Sequence, residues 1–208
     1  PVGVYHLADP ACAAIDATAI SYMYQRGRDV VAAAILAAAV ADALRPDATV
    51  ASVLAAALDA APAAPMVHFD QRAPAAPRDY LARCLAVVDG CDDVVAARPL
   101  LYAHCLCYHA IDPLELLGFA LALFKLTDGD VRQCAVGGTN IGRDADTIAG
   151  RSAMLAGTLR GPAGIPAEWI ALFKPASLER IRRNAARLAH GIVPQRLARL
   201  RARQGESR

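Results

Sequence analysis

Three features of this 208-residue chain predict an all-α fold. Its residues are 56% hydrophobic but only 5% aromatic, with alanine supplying much of the apolar content. Alanine is the best intrinsic helix former and lets helices approach closely. Apolar segments of helical length recur, each bounded by Asp, Thr, Pro or Gly where helices start and stop. No stretch alternates apolar and polar residues over a useful strand length. The length suits one domain with a substantial core, built from about eight or nine helices.

The elements follow in order. Asp9 can cap a helix with Pro10 at its first position, running to about Tyr24. Gly27 fits its end and Asp29 a new start, giving a second helix over about 30–44. Thr49 can cap a third, about 50–60. The segment 61–77 holds four prolines and no helical period. A loop of that length suggests an exposed excursion or a lid. Helices resume over about 78–89 and 92–110. Asp112, Pro113 and Glu115 then form a strong helix start ahead of an apolar stripe to Leu126. Asp130 can open a short helix through Cys134 into a glycine-rich stretch. A further helix starts at Asp144, and a short one follows Ile165-Pro166. The chain closes with a basic segment, expected to be helical from 178 to about His190 and frayed beyond. The domain is therefore drawn as 1–190, with a tail at 191–208.

Composition excludes several classes. The net charge of +2 does not indicate nucleic-acid binding, although the tail is locally basic. The six cysteines show no CxxC pair and no zinc-type spacing. They read as buried, reduced thiols, which suggests a cytoplasmic location. The longest apolar run, at 30–44, falls short of the roughly 20 residues of a membrane span and carries Asp42. It reads as a core helix, so no membrane partner is expected. No signal-peptide pattern opens the sequence. The first residue is Pro1 and not Met, so the chain is read as part of a longer one.

The stretch "GGTNIGRDADTIAG" (137–150) differs from the rest. Asp144 and Asp146 admit a plain reading as a cap and a first-turn charge complementing the helix dipole. They also admit a second. Residues two apart on a regular helix point about 200° from each other. Two such carboxylates converge only where a helix is just beginning. Thr147 is three on from Asp144 and shares its face. Two carboxylates and a hydroxyl at such a junction are hard oxygen ligands, suited to Mg²⁺, Mn²⁺ or Ca²⁺ and not to zinc. The glycines admit close approach of backbone and ligand. Asn140 adds an amide beside them, and Arg143 either neutralises the acidic pair or contacts a phosphate.

"NIGRDADTIAGRSAMLAGTLRGPAGIPAEW" resembles the metal motif near the C-terminus of the ADP-ribosylglycohydrolase family. The matching residues are Asp144, Asp146 and Thr147, the small-residue run Ala149 to Gly157, Gly161, and Ile165-Pro166 with Trp169. "PVGVYHLADPACAAIDA" is similar to the family's mid-chain Pro-x-Gly segment. "DPLELLGFALALF" is like one of its helices, but Pro113 precedes Glu115 instead of following it. Arg143 stands where many members have glycine. The resemblance spans about residues 1–190.

It implies the C-terminal portion of a compact, orthogonal all-α bundle. It also implies a two-metal Mg²⁺ site and hydrolysis of a glycosidic bond to ADP-ribose, carried by a modified protein or a small acceptor. Asp144, Asp146 and Thr147 would be metal ligands. Asn140, Gly142 and Arg143 would lie against substrate. The family's upstream Thr-Asp-Asp motif, glutamate and phosphate loop are not in this sequence. The chain is thus expected to carry about half of the metal site. A non-catalytic helical fragment, or an ADP-ribose-binding module, is the alternative.

Other polar residues have plainer readings. His104 and His109, five apart on one predicted helix, read as core or interface histidines. His68 and Arg72 lie in the proline-rich loop. Tyr5 and His6 are candidate pocket-lining residues, and Asp9 and Asp16 read as cap and surface.

Overall fold

A computed structural model describes residues 1–64, 76–107 and 109–205; for 196, 197 and 199–205 it describes the backbone alone. The described residues are helical, with no β-strand among them. They form two units, Pro1–Ile165 and Pro166–Arg208.

The first unit opens with a short helix, α1 (Val2–Tyr5). α2 (Pro10–Ser21) starts as expected, with the Asp9 side chain accepting from the Cys12 N–H at 3.1 Å. α3 (Arg28–Ala43) is alanine-rich and buried along most of its length. α4 (Val50–Ala60) begins with a reciprocal capping box between Thr49 and Ser52. α5 (Pro77–Ala86) and α6 (Val94–Cys105) follow the proline-rich segment. Residues 65–75, which include His68 and Arg72, lie outside the described residues.

α7 (Pro113–Leu126) is the spine of this unit. Every residue from Leu114 to Phe124 is buried, so the helix is enclosed on all sides. It packs against α3, α5 and α9. Its start is fixed by Asp112. One Asp112 oxygen accepts from the Leu114 and Glu115 N–H groups at 3.0 and 3.1 Å. The other pairs with Arg28 Nη1 at 3.0 Å, and both side chains are almost fully buried. One carboxylate thus caps α7 and ties it to the start of α3.

α8 (Val131–Ile141) and α9 (Ala145–Arg160) form an intimate pair. A 3₁₀ turn (Pro162–Gly164) ends the unit. The second unit holds α10 (Ala167–Ala171) and α11 (Pro175–Gly205).

Four expectations need correction. The helix drawn to 110 stops at Cys105. The reason lies two residues on, where the Cys107 N–H is taken by the Glu115 carboxylate at 2.5 Å instead of a helical carbonyl. The glycine stretch is not a loop at its start, since Gly137 and Gly138 lie inside α8. A Cβ at Gly138 would lie 2.6 Å from the Ala149 nitrogen. Close contacts with Val94 and with Ala149 thus account for these two glycines. The helix expected to fray after His190 runs unbroken to Gly205 and contains Pro194. Its Arg, Ala, Leu and Gln content is strongly helix-forming. Finally, of the core and interface readings of His104 and His109, the core one falls, since both are exposed.

Candidate metal centre

The candidate ligands sit where α8 hands over to α9. Two consecutive residues make the turn with positive φ: Gly142 at 84° and Arg143 at 61°. Gly142 suits this, both because φ is left-handed and because a Cβ there would collide with the Tyr102 hydroxyl. That hydroxyl donates to the Ile141 carbonyl at 2.8 Å, closing the end of α8. Arg143 has no such freedom, and a non-glycine residue held there implies compensation nearby.

The compensation is Glu115. This carboxylate is fully buried, and it receives Arg143 Nε at 2.6 Å and Nη2 at 2.9 Å. Nη2 also reaches the Cys107 carbonyl at 3.0 Å. The Cys107 backbone is therefore held on both sides, its N–H by Glu115 and its C=O by Arg143. The hydrogen bond that Arg143 donates to Glu115 holds the guanidinium pKa above its ordinary value, against the opposing pull of burial. Arg143 thus turns towards the core and bonds there, and no hydrogen bond or ion pair joins it to Asp144 or Asp146.

Asp144 occupies the N-cap position of α9, but its side chain makes no capping bond. Asp146 follows in the first turn and is exposed; Asp144 and Thr147 are half-buried. Other N-cap aspartates of this chain, Asp9, Asp93, Asp112 and Asp130, all accept a backbone N–H. Asp144 is the exception among the described residues. Among the described residues, none hydrogen-bonds to the carboxylate of Asp144, the carboxylate of Asp146 or the hydroxyl of Thr147, so all three are left available. Hard oxygen donors left uncommitted at one helix start fit a hard divalent cation. Among the described residues, however, no third His, Cys, Asp or Glu joins the pair in a metal-holding group.

The remaining candidates are placed apart. Asn140 donates to the Val136 carbonyl of its own helix at 2.8 Å. It lines a 430 Å³ cavity with Arg98, Arg132 and Gln133, which the Asp144, Asp146 and Thr147 side chains do not line. His6 is buried, and its Nε2 meets Asp16 at 2.6 Å. That contact gives Asp16 a partner beyond its surface reading. Tyr5 packs edge-on against His6.

The sequence of the chain matches the model of a known family, ADP-ribosylglycohydrolase, over residues 1–204. The chain belongs to the ADP-ribosylglycohydrolase family. That family hydrolyses glycosidic bonds to ADP-ribose, acts on ADP-ribosylated substrates and is generally metal-dependent. Comparison with curated proteins and with solved structures gives no match. No described helix is long and apolar enough to cross a membrane.

Two important residues escape a reading of the sequence. Glu115 is visible only as an N-terminal helix acid, since its partner lies 28 residues away. Arg151, seven residues after Asp144, carries a signal that was available, because that spacing returns to the same helix face.

Proposed function

We propose that this ADP-ribosylglycohydrolase-family chain serves a Mg²⁺-dependent hydrolase that removes ADP-ribose from a modified protein or a small acceptor. Asp144, Asp146 and Thr147 would hold the ion. The observation that carries this reading is the N-cap aspartate that caps nothing. A carboxylate in that position normally takes a backbone N–H, and leaving it uncommitted costs stability unless it has another use. The oxygen-only donor set favours Mg²⁺, with Mn²⁺ an acceptable substitute. In the two-metal arrangement the resemblance implies, the ions would orient ribose hydroxyls and lower the pKa of a water.

The chain's own residues contribute position and charge. The Glu115–Arg143 pair fixes the turn that leads into Asp144. The carboxylates of Asp144 and Asp146 place negative charge where positive charge develops on the sugar as the leaving group departs. Gly142 keeps the turn narrow.

A second reading has its own support. Two carboxylates and a hydroxyl are fewer ligands than octahedral Mg²⁺ prefers, and no third ligating group joins them among the described residues. On that reading the chain is a non-catalytic helical module that binds ADP-ribose. One assay separates the two. ADP-ribose release from an ADP-ribosylated protein is measured with and without Mg²⁺, beside equilibrium binding of ADP-ribose. Mg²⁺-dependent release that disappears in Asp144→Asn supports the hydrolase. Binding without release supports the module. Release indifferent to both Mg²⁺ and Asp144 overturns the assignment of the ligands.

A further inference from the structure

Three buried cysteines gather where α5 meets the end of α6. Cys84, Cys105 and Cys107 are all free thiols. Tyr80 and Cys84, four apart, share one face of α5. The Tyr80 hydroxyl donates to the Cys105 carbonyl at 2.7 Å. The Cys84 sulfur rests over Gly118 of α7, where an added Cβ would come within 2.8 Å of it. From that notch the Cys84 thiol donates a hydrogen bond to the Cys105 sulfur. Cys107 is engaged elsewhere, its sulfur accepting from Arg28 Nη2 at 3.3 Å.

The two paired sulfurs are unequal. The hydrogen bond from Cys84, helped by the charge of Arg83, holds Cys105 below the ordinary thiol value against the pull of burial. Burial holds Cys84 well above it. Cys105 is therefore the nucleophile of the pair, and Cys84 is the thiol placed to resolve it. Arg83 is an exposed residue, and its guanidinium hydrogen-bonds the Cys105 sulfur and lies 5.8 Å from the Tyr80 ring. An exposed side chain changes rotamer within nanoseconds. The Cys105 sulfur thus lies one movable side chain below the surface.

The chain itself ties this pair to the turn ahead of Asp144. Cys105 is the last residue of α6. Two residues on, the Cys107 backbone is held by Glu115 and Arg143. Bonded sulfurs sit closer than hydrogen-bonded ones. Joining Cys105 to Cys84 would draw the end of α6 towards α5 and pull on the Cys107 backbone.

We propose that Cys84 and Cys105 are a peroxide-sensitive modification site, at which an intrachain disulfide between α5 and α6 loosens the Cys107 backbone and, through it, the turn ahead of Asp144. The Cys105 thiolate attacks one oxygen of hydrogen peroxide. The O–O bond breaks, and the departing hydroxide takes up the proton that Cys105 gave up, leaving as water. Cys105 is now a sulfenic acid. The Cys84 sulfur attacks the Cys105 sulfur, the S–O bond breaks, and the second hydroxide leaves as water with the Cys84 proton. Two thiols and one peroxide thus give one disulfide and two waters. A dithiol reductant reverses the bond by exchange. Neither step uses the ions or the substrate of the proposed hydrolase.

The test exposes the folded chain to hydrogen peroxide, then denatures it, blocks the remaining thiols and maps the peptides by mass spectrometry. Wild type is expected to yield a linked Cys84–Cys105 peptide pair that dithiothreitol reverses, with Cys134 still reduced. Cys84→Ala is expected to stop at a Cys105 sulfenic acid, trapped by dimedone. Cys105→Ala is expected to leave Cys84 reduced. Circular dichroism checks that both variants are folded, and Cys84→Ser or Cys105→Ser replaces any alanine variant that is not. In oxidised wild type the Cys107 amide is expected to exchange roughly tenfold faster than in the reduced chain, and to slow again on reduction. A chain whose Cys84 and Cys105 stay reduced until urea unfolds it overturns the site. A complete disulfide with unaltered exchange at Cys107 overturns its effect on the turn.

Discussion

Arg143 and Glu115 meet through two hydrogen bonds, Nε to Oε1 at 2.6 Å and Nη2 to Oε2 at 2.9 Å, with Glu115 fully buried. The pair joins the first turn of α7 to the turn that precedes the aspartate motif. Its removal tests how far the turn depends on it. Glu115→Ala leaves a largely buried guanidinium without its counter-charge and the Cys107 N–H without its acceptor. Losing one partner of a buried pair costs about 3 kcal/mol or more. The measurement is the urea midpoint, and a loss below about 1 kcal/mol would show that the turn is held by other means.

Asp144 and Asp130 are both N-cap aspartates, yet they are expected to behave oppositely. Asp130 accepts from the Gln133 N–H at 2.7 Å, so Asp130→Ala is expected to cost about 1 kcal/mol. Asp144 caps nothing, so Asp144→Asn in Mg²⁺-free buffer is expected to change stability by less than about 0.5 kcal/mol. Added Mg²⁺ is expected to raise the Tm of wild type and not of Asp144→Asn, since a ligand that binds only the folded state stabilises it. A thermal scan with and without the ion checks all three statements.

The α8–α9 contact predicts a contrast between two glycines. Gly138→Ala would press a methyl against the Ala149 backbone, and overpacking of this kind costs about 3 kcal/mol. Gly150 has open space around an added Cβ. Gly150→Ala is expected to stabilise α9 by about 0.5–1 kcal/mol. Denaturant unfolding of the two variants side by side decides the matter, and equal effects would contradict the described contact.

Cys134 predicts an alkaline weakness. Burial pushes its thiol from 9.0 up to about 11, against the Thr127 hydroxyl at 3.1 Å, which favours the thiolate. The folded value lies above the unfolded one. The associated stability is therefore complete below about pH 9 and is lost as pH rises towards 11. A shift of this size corresponds to about 2–3 kcal/mol. Wild type is expected to lose more stability than Cys134→Ala between pH 8 and 10.5, read from urea midpoints at each pH.

The frame of the fold could be read from local chemistry. Asp9 with Pro10, Thr49, and Asp112 with Pro113 each announce a helix through groups a few residues apart, and the structure starts helices there. Less legible features depend on distant partners. The early end of α6 follows from Glu115, eight residues beyond Cys107, and Gly137 and Gly138 are ambiguous in the sequence because helix contact and ligand approach call for the same residue. The aspartate pair was noticed for its spacing, but nothing local reveals that Asp144 leaves its capping bond unmade. The spacing of Arg151 from Asp144 marks a shared helix face, but its buried Nη1 is invisible in the sequence, because an arginine in a helix resembles a solvated one until the walls around it are known.

The backbone of Cys107, lying outside any helix and held by Glu115 on its N–H and Arg143 on its C=O, behaves in effect as a built-in gauge. Its amide proton can exchange with solvent only when the Glu115 contact opens, and that opening also slackens the turn ahead of Asp144. Hydrogen exchange at this one amide would therefore report the readiness of the motif before any ion or sugar is added. A slow rate would mean that the motif is assembled in advance; a rate typical of surface loops would mean that its ligands must organise it.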